Sequence, residues 1–162
     1  MIYQIETSLK KQFGDKHGEH VKHEIAELGA KRISAVKYSP VYQIEGPLSR
    51  QEAERISSRL LIDPVTEEYS IQTDQIDSRK GQGSSSKESK SLTVEIWLKK
   101  GVTDTVAESV AKAVKDIGIT EPLKIKTGHK FIFEGKTTAA EIKQIAKKLL
   151  YNPMIQECKL LK

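Results

Sequence analysis

Apolar and polar residues alternate with a period of two at two distant places in the chain, Tyr3, Ile5, Thr7 and Leu9, then Leu92, Val94, Ile96 and Leu98, with mostly polar residues between them. That period predicts strands buried on one face. A helical spacing follows each, Val21, Ile25 and Leu28 in the first stretch and Val110, Val114 and Ile117 in the second. Asp15 or Asp104 starts it and Gly29 or Gly118 stops it. Two short strands are predicted next, over 33–38 and 41–45 and again over 123–127 and 130–134, with turns at Ser39-Pro40 and Gly128-His129. A second helix opens on the capping boxes Ser49 to Glu52 and Thr138 to Glu141, in which hydroxyl and carboxylate satisfy each other's backbone donors. Its buried face is Ala53, Ile56, Leu60 or Ile142, Ile145, Leu149. Asp63-Pro64 and Asn152-Pro153 end it, since proline cannot donate the next helical bond. A last strand is expected over 67–72 and over 155–161.

The two stretches are copies of one unit. Leu9-Lys10-Lys11 recurs as Leu98-Lys99-Lys100, an offset of 89 positions that holds to the end of the chain and pairs Asp15 with Asp104, Gly29 with Gly118, Glu45-Gly46 with Glu134-Gly135, Leu60-Leu61 with Leu149-Leu150 and Pro64 with Pro153. We therefore divide the chain into repeat 1 (1–73), a linker (74–90) and repeat 2 (91–162). The linker contains RKGQGSSSKESK, which has too little apolar surface to order itself. As a coil it spans about 20–25 Å, so the repeats meet each other at an effective concentration of order mM. Each repeat is small enough that its isolated core is thin, which favours a shared buried surface. The predicted class is α+β, two ferredoxin-like β-α-β-β-α-β modules forming an intramolecular pseudo-dimer.

The segments LKKGVTD, IKTGHKFIFEG and LLYNPMIQEC together resemble the PurS subunit of phosphoribosylformylglycinamidine synthase, with its Leu-Lys strand end, Gly-Val-x-Asp loop, Gly-turn hairpin and Leu-Leu-x-Asn-Pro-x-Ile-Glu tail. Repeat 1 carries a weaker version, with Gln12 in place of Gly101 and Ser39 in place of Gly128. The resemblance implies a non-catalytic assembly subunit. It would join an ATP-using synthetase (PurL-type) subunit to a glutaminase (PurQ-type) subunit in the conversion of formylglycinamide ribonucleotide to formylglycinamidine ribonucleotide. ATP and magnesium then belong to the synthetase, with no cofactor on this chain.

Charge changes the picture in one respect. Of 27 basic and 22 acidic residues, repeat 1 holds 10 and 11 whereas residues 92–162 hold 13 and 8, so the basic excess lies in repeat 2. It suits either nucleic acid or an acidic protein face. No apolar run approaches the roughly 20 residues of a membrane span, and the start of the chain lacks the pattern of a signal peptide, so a cytoplasmic protein is expected. Cys158 is the only cysteine and is read as a small buried hydrophobe. Phosphate-binding loops and paired-histidine metal motifs are absent from the sequence, and His17, His20 and His23 drift around their helix instead of converging. The candidates for a partner interface are Trp97, the Gly101 loop with Lys99, and the lysine-rich segment Lys124, Lys126 and Lys130, all in repeat 2. The first-helix amino end behind Lys99-Lys100-Gly101 is also suited to an anion. Two alternatives share the strand order. One is an RNA-recognition module stacking bases on Phe131 and Phe133, the other a small-molecule regulatory domain.

Overall fold

The computed structural model describes residues 1–73 and 91–161; the expected linker, 74–90, lies outside the described residues, as does Lys162. In chain order the elements are β1 (Ile2–Leu9), α1 (Lys16–Glu27), β2 (Ile33–Glu45), α2 (Arg50–Ile56), β3 (Glu67–Thr73), β4 (Ser91–Leu98), α3 (Thr105–Asp116), β5 (Lys124–Gly135), α4 (Ala139–Ile145) and β6 (Gln156–Leu161). The strands form one antiparallel sheet in the order β3-β1-β2-β5-β4-β6. The α+β class and the pseudo-dimer are as the sequence leads one to expect. Both predicted capping aspartates, Asp15 and Asp104, stand at the starts of their helices, and both second helices start at Ser49 and Thr138 and end in a π-helical turn.

The expected hairpins are not formed. Ser39-Pro40 and Gly128-His129 lie in the middle of β2 and β5, which run unbroken and pair with each other from Val36↔Phe133 to Glu45↔Lys124. Pro40 is tolerated there for a geometric reason. The N–H groups of Gly46 and Tyr38 point to the β1 side, to Met1 O and to the Asp15 carboxylate, so by alternation the missing donor of Pro40 points there too. β1 pairs with β2 only as far as Glu6↔Val41 and leaves before a bond to Pro40 is needed.

Pro40 pairs in register with His129, its own repeat equivalent. A pseudo-two-fold axis therefore passes between them, and the pairing is self-complementary in the manner of an isologous dimer. The helices cover one face of this joint sheet, in two cores that each mix the repeats. One core sets Val21 and Ile25 of α1 and Val36 of β2 against Val94, Phe131, Phe133 and Ile145 from repeat 2. The other sets Tyr3, Ile5, Ile44 and Ile56 of repeat 1 against Val114 and Ile119 of repeat 2. Thus the strand that would have closed each unit's own hairpin is supplied by the other repeat. Arg55 on α2 reinforces the exchange by donating to the Ile117 carbonyl at the end of α3, 3.0 Å away, where the helix dipole favours a cation.

Beyond the point where β1 leaves, one backbone donor of β2 would be orphaned. Asp15 takes it. Its Oδ1 accepts from Gly18 N–H and its Oδ2 from Tyr38 N–H, both at 2.8 Å, so a single carboxylate caps α1 and holds it to β2. Asp104 does the same with Ala107 N–H at 2.9 Å and Thr127 N–H at 2.8 Å. In repeat 1 the fit is closer still, since a Cβ on Gly18 would stand 2.2 Å from Val36 O. Replacing Asp15 by Ala removes a helix cap, typically about 1 kcal/mol, and leaves a strand N–H without its partner, about 1–3 kcal/mol more. We expect Asp15→Ala to lower unfolding free energy by about 2–4 kcal/mol in urea titration, with cooperativity retained.

Candidate partner interface

The strand residues that face away from the helices carry most of the predicted interface. Along β5 this face presents Lys124, Lys126, Gly128 and Lys130, and Trp97 of β4 pairs directly with Gly128. A Cβ on Gly128 would lie 2.7 Å from the Trp97 ring and 2.7 Å from the Ile96 carbonyl, so the indole lies against a strand position that only glycine leaves open. The equivalent pair in repeat 1 is Ser8 and Ser39, small residues at both places. Trp97 is accordingly half-buried, where the sequence pattern suggests an exposed side chain. Its Nε1 donates to Glu95 Oε2 at 3.2 Å.

Lys130 also departs from expectation. Its ammonium is 2.8 Å from Glu6 Oε2 and its side chain is 16% exposed, so it is held inside the fold and is not a free steering charge. Gln4 Nε2 donates to Glu95 Oε1 at 2.9 Å. In the sheet order β1 and β4 stand three strand spacings apart, about 14 Å, so these side chains must lie across β2 and β5. That explains how Val41, on the helix-free face of the central strand, is fully buried and Ser39 nearly so. Glu6 and Glu95 are repeat equivalents on either side of the pseudo-dyad. They were not singled out in the sequence, because an acidic residue on the polar side of a strand reads as solvated; the one available signal was the joint change of Ser8 to Trp97 and Ser39 to Gly128.

Lys99, Gly101, Lys124 and Lys126 remain exposed. Gly101 sits in the loop after β4 at φ 90°, a conformation that disfavours side chains. Lys99 donates its backbone N–H to Ile155 O, 2.8 Å away, which ties that loop to the turn before β6. The structure therefore groups Trp97 with Lys130 at the sheet centre, Lys124 and Lys126 along β5, and Lys99 with Gly101 at the outer end of repeat 2. Val102, Asp104, Ala107 and Ile125 line an open depression of about 320 Å³ beside α3.

On the helix face at the pseudo-dyad, His17 stacks on Tyr38 with ring centroids 3.9 Å apart, and Tyr38 Oη is 2.7 Å from His129 Nδ1. His20 and His23 point elsewhere, towards Glu24 and Glu27 at 3.1 and 3.3 Å. The base-stacking alternative loses its surface here: Phe131 and Phe133, 4% and 0% exposed, lie under the helices. Cys158 is half-buried, and burial pushes its thiol pKa up, against the opposing pull of Lys143. Burial likewise raises the Tyr38 hydroxyl, with Tyr42 and Asp15 adding to it.

The His129 ring is held below the ordinary histidine range, first by desolvation and then by neighbouring His17, with Asp104 opposing. The unfolded chain thus binds this proton at higher pH than the folded one. The stability tied to neutral His129 is full above the unfolded value of about 6.5 and is lost as pH falls through it. The denaturation midpoint should fall on acidification from about pH 7.5 to about pH 5.5, and less so in His129→Gln; equal slopes for the two proteins would refute the assignment. A second expectation concerns the indole. Trp97 is the only tryptophan, so Gly128→Ala should red-shift the intrinsic emission and cost about 1–3 kcal/mol by overpacking, whereas Ser39→Ala leaves the emission unmoved.

The family profile described as PurS, phosphoribosylformylglycinamidine (FGAM) synthase, matches residues 2–75 and 91–161. Among solved structures, one match is PurS of Methanocaldococcus jannaschii, one of the subunits of formylglycinamide ribonucleotide amidotransferase in the purine biosynthetic pathway. It is 25% identical over 44% of this chain and 92% of that one, with a TM-score of 0.34. A comparison with curated protein sequences finds no match.

Proposed function

Because the chain belongs to the PurS family of phosphoribosylformylglycinamidine synthase, as a tandem duplication of the family unit, we propose that it is the non-catalytic assembly subunit of that enzyme in purine biosynthesis. In this role it bridges an ATP-using synthetase subunit and a glutaminase subunit. ATP and magnesium are handled by the synthetase, and the site of action is the cytoplasm. None of the described helices is long and apolar enough to cross a membrane. The repeats 1–73 and 91–162 act as one body joined by the linker 74–90.

The observation that carries the reading is the pseudo-dyad, through which the two family units share one sheet and exchange helices between their cores. A single chain then offers two related but unequal surfaces, which is what joining two different subunits requires. Lys124 and Lys126 extend along the exposed helix-free face and make no ion pair among the described residues, so they suit an acidic partner surface, mainly by accelerating encounter. Trp97 and Lys130 support that face from within.

The test mixes the purified chain with the synthetase and glutaminase subunits in the presence of glutamine and ADP, followed by gel filtration. A ternary species is expected, together with glutamine-dependent turnover that needs this chain. A chain that elutes alone under these conditions while retaining RNA in a salt-sensitive manner would overturn the proposal.

A further inference from the structure

Between the second helix and the last strand each repeat makes the same five-residue turn, in which every backbone N–H has a partner. In repeat 2, Asn152 N–H donates to Gln156 Oε1 at 2.9 Å, Met154 N–H to Asn152 Oδ1 at 3.0 Å, and Ile155 and Gln156 N–H to the Asn152 carbonyl at 3.1 and 2.8 Å. Pro153 has no N–H to place. Repeat 1 repeats every bond with Asp63, Pro64, Val65, Thr66 and Glu67. Such a turn holds its shape without help from a ligand. At its tip, however, it carries an apolar side chain into water, Val65 at 69% and Met154 at 81% exposure.

A lone exposed apolar residue is ordinary. Three differences between the repeats make the second turn more than that. Its apolar surface is larger, since Ile155 is exposed where repeat 1 has Thr66. Its acceptors are amides where repeat 1 has carboxylates: Asn152 for Asp63 and Gln156 for Glu67. Both sets make identical bonds, because the turn needs only the oxygens, so the fold does not dictate the loss of two negative charges. Finally, Lys10 in repeat 1 donates its ammonium to Pro64 O at 2.8 Å, whereas its equivalent Lys99 is exposed with no such bond. With Lys100, Lys147 and Lys148, all exposed and outside any ion pair among the described residues, the segments that flank the turn of repeat 2 carry four lysines against one exposed carboxylate, Glu157.

We infer that turn 152–156 is a preformed docking knob, in which Met154 enters an apolar pocket rimmed by carboxylates on the synthetase subunit. The choice of that occupant rests on the function proposed above; the carboxylate rim follows from the lysines and the amide-for-carboxylate exchange. A rigid turn loses little conformational entropy on docking, and an apolar side chain at its tip can enter a pocket as an interface anchor, with the lysines of the flanking segments meeting the partner's carboxylates outside it.

Titration of the full-length chain against the isolated synthetase subunit tests this. Met154→Asp should weaken binding about tenfold or more, while Met154→Leu and the repeat 1 control Val65→Asp stay within about threefold of the parent. The double change Asn152→Asp with Gln156→Glu keeps every turn bond and restores the charge of repeat 1, and should slow association with a reduced dependence on salt. Met154 is exposed, so none of these variants endangers the fold, which melting curves verify. Undiminished binding by Met154→Asp, or an equal loss in Val65→Asp, overturns the docking inference and leaves the assembly role intact. A parent protein that does not bind the synthetase at all overturns the assembly role, and with it the occupant named here.

Discussion

The antiparallel pairing of β2 with β5 governs everything else in the molecule. A unit of about 70 residues buries too small a fraction of its surface to be comfortably stable alone, and here neither unit keeps a core to itself. The two long strands run past each other about the point where Pro40 meets His129, and this one register places α1 of repeat 1 over the sheet of repeat 2 and α3 over that of repeat 1. Slipping β5 along β2 by a single residue would turn Phe131 and Phe133 to the helix-free face and Lys130 into the cores; slipping β2 would do the same with Tyr38 and Lys37. The Asp15 and Asp104 carboxylates fix the helices at the places where each long strand loses its neighbour, so the capping of the helices and the pairing of the strands are one structural device.

Much of this was legible along the chain. The period-two segments, the capping aspartates, the Ser49 and Thr138 boxes and the proline stops are local signals with local causes, and each appears where the spacing puts it. The middle of each repeat was not legible. Ser39-Pro40 and Gly128-His129 carry turn chemistry, and whether a proline interrupts a strand depends on which edge its missing donor faces. That is settled by where β1 departs, a tertiary fact. The exchange of helices is equally silent in the sequence, since the same apolar residues are buried whether a helix packs on its own sheet or on its neighbour's.

The candidate interface divided in the same way. Strand alternation puts Trp97, Lys126 and Lys130 on one face, the one away from the helices. It gives no hint that Gln4 reaches across two strands to Glu95, and Glu6 across one to Lys130, so that the face's centre is buried. Trp97 and Lys130 are therefore covered at the middle of the sheet, whereas Lys99, Lys124 and Lys126 stay exposed towards its ends.

These contacts also explain why two copies in one chain are not equivalent to two chains. In a symmetric dimer every substitution is made twice about the axis. Lys130 would then be matched by a second lysine at position 41, which is a fully buried Val beside Gly128, and the Trp97 ring would be matched by one at position 8, over a Ser39 with no room for it. The Glu6–Lys130 pair, the indole on Gly128 and the Tyr38–His129 contact each need different residues at equivalent sites. Fusion removes the requirement for symmetry, and the asymmetry it permits runs from the buried centre of the helix-free face out to the turns that meet solvent, while the capping aspartates and the turn geometry stay the same in both halves. The features common to both halves hold the shared sheet together, and the unshared ones leave the two halves with unequal surfaces.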